Sequence, residues 1–143
     1  SRCVMLYVSK GTGEVETGPI IKKALTMGKK VVLPVTLVRD RDIKPVYLGD
    51  IKKLEKGPYG IYEPAGPLNK KTAALKDIDL VIVPGIAFDE NNNRVGRGKG
   101  YYDNFLKRFP KGRPNIGIGF RFQLLDKVPA TKRDIPLTSV ITD

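Results

Sequence analysis

The sequence contains no histidine, which removes the commonest general base, the usual nucleophilic triads and most zinc sites at one stroke. It has a single cysteine, Cys3, within the short apolar run from Cys3 to Val8. Neither an intrachain disulfide nor a cysteine-based zinc cluster can form from it, and a reducing, cytoplasmic setting is expected. That run is too short for the apolar region of a signal peptide, and no stretch approaches the roughly 20 apolar residues of a membrane span. Internal repeats and linkers are also lacking, so residues 1–143 are expected to form one domain around one core. Carboxylates are scarce: 15 Asp and Glu stand against 26 Lys and Arg, for a formal charge of +11. Such a surplus favours polyanionic partners through the long-range field. Whatever chemistry the chain performs must rest on Lys, Arg, Tyr and its few carboxylates.

What is present reads as alternating strands and helices. Residues Cys3 to Val8 form a candidate buried strand, followed by a polar loop from Ser9 to Gly13. Thr17 is a candidate N-cap, Pro19 suits a first helical turn, and Ile20, Ile21, Ala24 and Leu25 recur at helical spacing until Gly28. The β-branched run from Lys30 to Val35 predicts a second strand ending at Pro34, and the strand, helix and strand should cross over right-handedly. From Thr36 to Pro67 the pattern is broken by prolines and glycines, which predicts short strands and turns. A short helical segment near Leu75 precedes a compact strand, Leu80 to Val83, that stops at Pro84 and Gly85; Asn91, Asn92 and Asn93 then make a turn that Asp89 can cap. A helix over about Tyr101 to Arg108 is closed by Pro110, and Asn115 to Gly119 and Ser139 to Thr142 are further strands. This order predicts a three-layer, Rossmann-like α/β fold with a mostly parallel sheet covered by helices on both faces.

Charge is concentrated between Arg94 and Arg113, where seven cations accompany only Asp103, and a single anion-binding region is the simplest reading. Within it, Gly96-Arg97-Gly98-Lys99-Gly100-Tyr101-Tyr102-Asp103 alternates three glycines with two cations. Glycine lets backbone amides converge on an oxyanion, and the loop opens into a helix whose N-terminus adds unpaired N–H groups and a favourable dipole. Asp103, one turn in, is placed to hold a cation that bridges phosphate oxygens. The segment is not a Walker A loop, because the required spacing and the following Ser or Thr are absent. A bland alternative stands beside each assignment. The loop can be a flexible basic turn, Tyr102 and Phe105 core residues at helical spacing, Glu14 a solvated side chain before a helix, and Asp134 a partner of Arg133 or Lys132.

Taken together, Val83-Pro84-Gly85-Ile86-Ala87-Phe88-Asp89, the Asn-rich turn and Gly-Arg-Gly-Lys-Gly-Tyr-Tyr-Asp resemble the signature of the 5-formyltetrahydrofolate cyclo-ligases. Tyr7, Val8, Ser9, Glu14 and Thr17 match a second part of that pattern, Leu33-Pro34 a third, and the resemblance runs from Tyr7 to Ile141. The resemblance implies an ATP-dependent ligase, in which ATP phosphorylates the formyl oxygen of 5-formyltetrahydrofolate before N10 closes the ring and phosphate leaves. It implies ATP binding by Gly96, Arg97, Gly98, Lys99, Gly100, Tyr101, Tyr102, Asp103 and Asn104, with Lys99, Arg97 and Tyr101 catalytic. Val8, Glu14, Lys99, Tyr101 and Tyr102 would bind the folate, and Asp103 and Asp134 a magnesium ion. Where the family shows His-Asp and then another Asp, this chain has Arg133, Asp134 and Thr138. The resemblance also implies a further N-terminal helical segment carrying a basic ATP-binding motif, which this chain, opening essentially at its first strand, is expected to lack. A monomer without membrane association is expected. A non-catalytic folate or nucleotide binder is the second reading, and a basic nucleic-acid-binding domain, supported by charge alone, the third.

Overall fold

The computed structural model describes residues 1–11, 13–67 and 71–143; Thr12, in the expected polar loop, falls outside them. Beside two small sheets, β4 (Leu54–Lys56) with β5 (Tyr62–Pro64) and β10 (Leu124–Leu125) with β7 (Ala87–Asp89) and β8 (Arg94–Val95), the molecule has a main sheet of six strands: β1 (Cys3–Met5), β2 (Lys30–Leu37), β3 (Asp42–Tyr47), β6 (Leu80–Val83), β9 (Asn115–Gly119) and β11 (Ser139–Thr142). They lie in the order β11-β9-β6-β1-β2-β3. Every neighbouring pair is parallel except β2 with β3, so the sheet is mostly parallel with one antiparallel edge.

Side chains of β1 alternate between two cores because successive residues of a strand point to opposite faces. Cys3 and Met5 pack with Phe105 and Leu106 of α2 (Tyr101–Arg108) and with Phe109 just beyond it, whereas Val4 and Leu6, the residue after β1, pack with Ile21 and Ala24 of α1 (Gly18–Thr26). Helices thus cover both faces, as the sequence predicts. The stacked rings of Phe105 and Phe109, 5.9 Å apart, anchor α2, and each such ring removed from water contributes about 1.5–3 kcal/mol.

Two local expectations need correction. Pro34 does not end β2, which runs on to Leu37. It faces Pro45 in the β2–β3 register, and the carbonyl of Pro45 turns outward to accept from the Ala73 N–H at 2.9 Å. The two prolines therefore form a pair that exchanges no ladder hydrogen bonds, where a missing N–H costs nothing. Thr17 does stand at the N-cap position of α1, but it makes no capping hydrogen bond and its backbone is helical. Fully buried, its hydroxyl instead donates to the Tyr7 carbonyl at 2.5 Å and accepts from the Ser9 N–H at 3.2 Å, tying the loop after β1 to the start of α1.

From β1 the chain passes to β2 on one side and later to β6 on the other, so the order reverses between β1 and β6. In open α/β sheets, ligands settle outside the carboxyl ends of strands at such a reversal. Here those ends are Tyr7-Val8 and Pro84-Gly85.

Candidate active site

A cavity of about 610 Å³ opens at that reversal. Its wall after β6 is built by close packing: a Cβ on Gly85 would lie 2.5 Å from the ring of Phe88, which is fully buried. Phe88 belongs to β7 (Ala87–Asp89), which pairs antiparallel with β8 (Arg94–Val95). The intervening turn is organised by Asp89, whose carboxylate accepts from the N–H groups of Asn91, Asn93 and Val128 and from the Asn93 side-chain amide at 3.0–3.1 Å. Burial pushes the Asp89 carboxyl up, but the hydrogen bonds from Asn93, Val128 and Asn91 outweigh it and leave its pKa below the usual carboxylate value.

This hairpin delivers Arg94 to the cavity floor. Its side chain is only 6% exposed; Nη2 pairs with Asp103 Oδ2 at 3.3 Å and Nη1 reaches the Pro84 carbonyl at 3.4 Å. The guanidinium also lies 5.7 Å from the centre of the Tyr102 ring. Among the described residues, Arg94 Nε and the Tyr102 hydroxyl are buried polar groups with no hydrogen-bond partner. Both belong to residues that line the cavity, and each donor left unmet costs roughly 1–3 kcal/mol.

The glycine-rich loop folds as the sequence predicts, into α2. Gly98 and Gly100 have φ of 76° and 73°, and Gly100 is the residue from which α2 starts. Arg97 reaches across the loop to Glu14 at 3.0 Å, and the other Glu14 oxygen accepts from the Lys10 N–H at 2.9 Å. Lys99 Nζ stands 5.6 Å from the centre of the Tyr59 ring, and the Tyr59 hydroxyl meets that of Tyr101 at 2.9 Å. The hydrogen bond to Tyr59 raises the Tyr101 pKa, while burial drives those of Tyr102 and Tyr7 well above the ordinary phenol value. With their pKa values raised in this way, the three phenols are protonated at neutral pH and are hydrogen-bond donors, not bases.

Val8, Glu14, Gly96, Arg97, Gly98, Lys99, Gly100, Tyr101, Tyr102, Asp103 and Asp134 all line this cavity. Asn104 does not; its side-chain amide donates to the Arg41 carbonyl at 2.8 Å. The cations of residues 94 to 113 are also divided. Arg94, Arg97 and Lys99 face the cavity, whereas Arg108 pairs with Asp42 at 2.5 Å and Arg113 with Asp79 at 3.5 Å. The single basic region expected from the sequence is thus split, because α2 carries its last turn away from the glycine loop.

For a divalent cation, the donor set is Asp103 and Asp134. Asp103 Oδ1 accepts from the Ile135 N–H at 3.2 Å, which brings the 134–135 segment beside it, and Asp134 Oδ2 accepts from the Thr131 N–H at 2.7 Å. No cluster of three or more metal-ligating side chains occurs among the described residues. Two carboxylates beside the glycine-rich loop match the one or two that magnesium commonly takes, its shell being completed by phosphate and water.

Sequence reasoning missed several residues here. Arg94 entered only as part of a charge count. Tyr59, Glu63 and Thr36 line the cavity from the proline- and glycine-broken third, which offered no periodicity to follow. Gln123 is buried, and its Nε2 donates to the carbonyls of Gly13 and Ile86 at 3.0 and 2.9 Å, clamping the Glu14 loop against the end of β6. A larger concavity, about 860 Å³, lies at the amino ends of β1 and β2 among Arg2, Lys30 and Asp79. It contains none of the motif residues and sits at the wrong end of a parallel sheet for the usual ligand site, so we assign the chemistry to the smaller cavity.

A model of the 5-formyltetrahydrofolate cyclo-ligase family matches residues 1–143. The chain is 36% identical over 160 residues to a probable 5-formyltetrahydrofolate cyclo-ligase of Caenorhabditis elegans, covering 99% of this chain and 72% of that one. It is 33% identical over 140 residues to the 5-formyltetrahydrofolate cyclo-ligase of Escherichia coli K12, covering 91% and 72%. The solved structure of Aquifex aeolicus 5,10-methenyltetrahydrofolate synthetase superposes with a TM-score of 0.80 at 33% identity, covering 99% and 69%. No helix among the described residues is long and apolar enough to cross a membrane.

Proposed function

The chain belongs to the 5-formyltetrahydrofolate cyclo-ligase family, and on that premise we propose that it converts 5-formyltetrahydrofolate and ATP to 5,10-methenyltetrahydrofolate, ADP and phosphate. The observation that carries this reading is the convergence of Arg94, Arg97 and Lys99 with the start of α2 on one cavity at the carboxyl ends of β1 and β6. Phosphoryl transfer asks a protein mainly for positioning and for positive charge around the transferring group, so a site without histidine suffices.

In this reading Arg97, Lys99 and the amides of the glycine loop hold the ATP phosphates. The formyl oxygen attacks the γ-phosphorus and the bond to the ADP oxygen breaks. N10 then adds to the formyl carbon and gives up its proton, and the C–O bond to phosphate breaks, leaving the methenyl bridge. Arg94 Nε and the Tyr102 hydroxyl, both unpaired and buried, are the donors that meet oxygens of the transferring group. Magnesium, held by Asp103 and Asp134 with the phosphates, would neutralise charge on the polyphosphate. Tyr101 and Tyr102 border both substrates, and Val8 and Glu14 face the folate. The buried free thiol of Cys3 suits a cytoplasmic enzyme, and we infer that it acts as a monomer.

The test mixes purified protein with 5-formyltetrahydrofolate and MgATP and follows methenyl absorbance together with ADP. Equal yields of the two products are expected. ADP without methenyl product would identify a different acceptor, and binding of both ligands without either product would make the chain a non-catalytic binder.

A further inference from the structure

We propose that Glu63 reads the hydrogen-bond-donor edge of the folate's 2-amino-4-oxopyrimidine ring, an inference that rests on the cyclo-ligase reading and adds a specificity residue to it. Several carboxylates line the cavity, and most are committed. Glu14 gives one oxygen to Arg97 and the other to the Lys10 N–H. Asp103 gives one to Arg94 and one to the Ile135 N–H. Asp134 lies beside Asp103, with one oxygen on the Thr131 N–H.

Glu63, on β5 (Tyr62–Pro64), differs from all of these. It is 8% exposed, and Oε1 alone accepts both hydrogen bonds, from the Thr36 N–H at 3.1 Å and the Thr36 hydroxyl at 2.6 Å. No cation pairs with it among the described residues. Its second oxygen, Oε2, has no donor there. The carboxylate is also held in place from behind: a Cβ on Gly57 would lie 2.5 Å from Glu63 Cδ and 2.8 Å from Oε2, so the backbone of the 57–60 turn blocks movement on that side. Thr36 fixes one oxygen, Gly57 fixes the plane, and the free oxygen belongs to a residue that lines the cavity beside Pro34, Ile43, Tyr59 and Ile61.

Oε2 is not among the fully buried unpaired atoms, so water in the cavity reaches it, and a ligand that displaces this water must supply donors in its place. Polyphosphate cannot, because it brings only acceptors and negative charge. A pyrimidine carrying N3–H and a 2-amino group supplies two adjacent donors, and hydrogen bonds to an ionised acceptor are roughly twice as strong as neutral ones. A flat heterocycle also suits the apolar neighbours. Adenine, with its single amino group, is the competing occupant, and it offers fewer donors to the same oxygen.

The test is calorimetric titration of the full chain with 5-formyltetrahydrofolate, with its 2-desamino analogue and with ATP. For the wild type, the analogue is expected to bind at least about tenfold more weakly than the folate, because a polar site rejects a ligand that leaves it unpaired. Glu63→Gln keeps an acceptor for Thr36 but places an NH₂ group or a neutral oxygen at the open position. It should weaken folate by about tenfold or more while leaving ATP within about twofold, and Glu63→Ala should no longer distinguish folate from the analogue. Unchanged folate affinity in both variants overturns the proposal, as does a loss confined to ATP, which would assign Glu63 to adenine. The wild-type comparison of the two folates needs no substitution, so equal affinity there overturns the proposal even if a variant fails to fold. A wild type that binds ATP but no folate refutes the cyclo-ligase reading itself, which is a separate result.

Discussion

Replacing Lys99 with alanine isolates one charge from the fold that carries it. Lys99 is exposed between two glycines of positive φ, makes no ion pair among the described residues, and has its Nζ over the Tyr59 ring, 5.6 Å from the ring centre. Removing it should therefore cost no more than the cation–π contact at an exposed site, about 0.5–1 kcal/mol, and move the melting temperature by only a few degrees. Its effect on phosphoryl transfer is larger. A unit charge about 4 Å from a phosphate oxygen is worth ~1 kcal/mol through bulk water and ~4 kcal/mol at an effective dielectric of 20. A bound ligand displaces water from the loop, so the value falls between these limits. We expect a loss of at least ~1.4 kcal/mol, or about tenfold in kcat/KM, carried mainly by kcat if the charge acts on the transition state. Lys99→Arg should recover part of it, since the charge returns in a different shape. Initial rates of methenyl formation at varied ATP and folate, with a thermal melt of each variant, make the measurement. A kcat/KM equal to wild type in a fully folded Lys99→Ala protein would refute the assignment of this charge to the reaction.

Glu14→Gln removes the ion pair with Arg97. Folate KM should rise several-fold while Arg97, freed for phosphate, leaves ATP KM unchanged or lower; a rise in ATP KM alone would contradict the placement of Glu14 against the folate. Asp89→Asn faces an amide toward three backbone N–H groups that need an acceptor, and should lower the melting temperature by about 5 °C at neutral pH. Because the folded Asp89 pKa lies below the unfolded value, near 3.9, its contribution is complete above that pH and is lost as pH falls through the folded pKa. The gap in melting temperature between wild type and Asp89→Asn should accordingly narrow below about pH 4, and a gap that widens on acidification would reverse the sign of the reasoning. Gly85→Ala drives a Cβ to 2.5 Å from a fully buried Phe88 ring and should destabilise by about 1–3 kcal/mol, the usual cost of overpacking; chemical denaturation with no change in midpoint would dispose of that claim.

The sequence announced the parts of this molecule whose causes are local. The helix over Tyr101–Arg108 follows from apolar spacing and a closing proline, β6 from a β-branched run, and the loop before α2 from glycines that only a turn requires. What it could not announce depends on partners far away in the chain. Glu14 meets Arg97 across 83 residues, Gln123 meets Gly13 across 110, and Glu63 is held by Thr36 across 27. None of these pairs has a spacing that marks it, because a sheet whose strand order reverses brings together loops in an order unrelated to sequence. The same fact explains why +11 was a blunt guide. Arg108 and Arg113, only a few residues beyond the loop, pair with Asp42 and Asp79 on other elements, while Arg94, before the loop, is buried at the cavity floor with one donor unspent. A cation's distance along the chain from the glycine motif therefore says little about its part in the chemistry. Burial without a complete set of partners says more: among the described residues Arg94 and Tyr102 are buried with unmet hydrogen bonds, and Glu63 keeps one carboxylate oxygen without a donor at the same cavity.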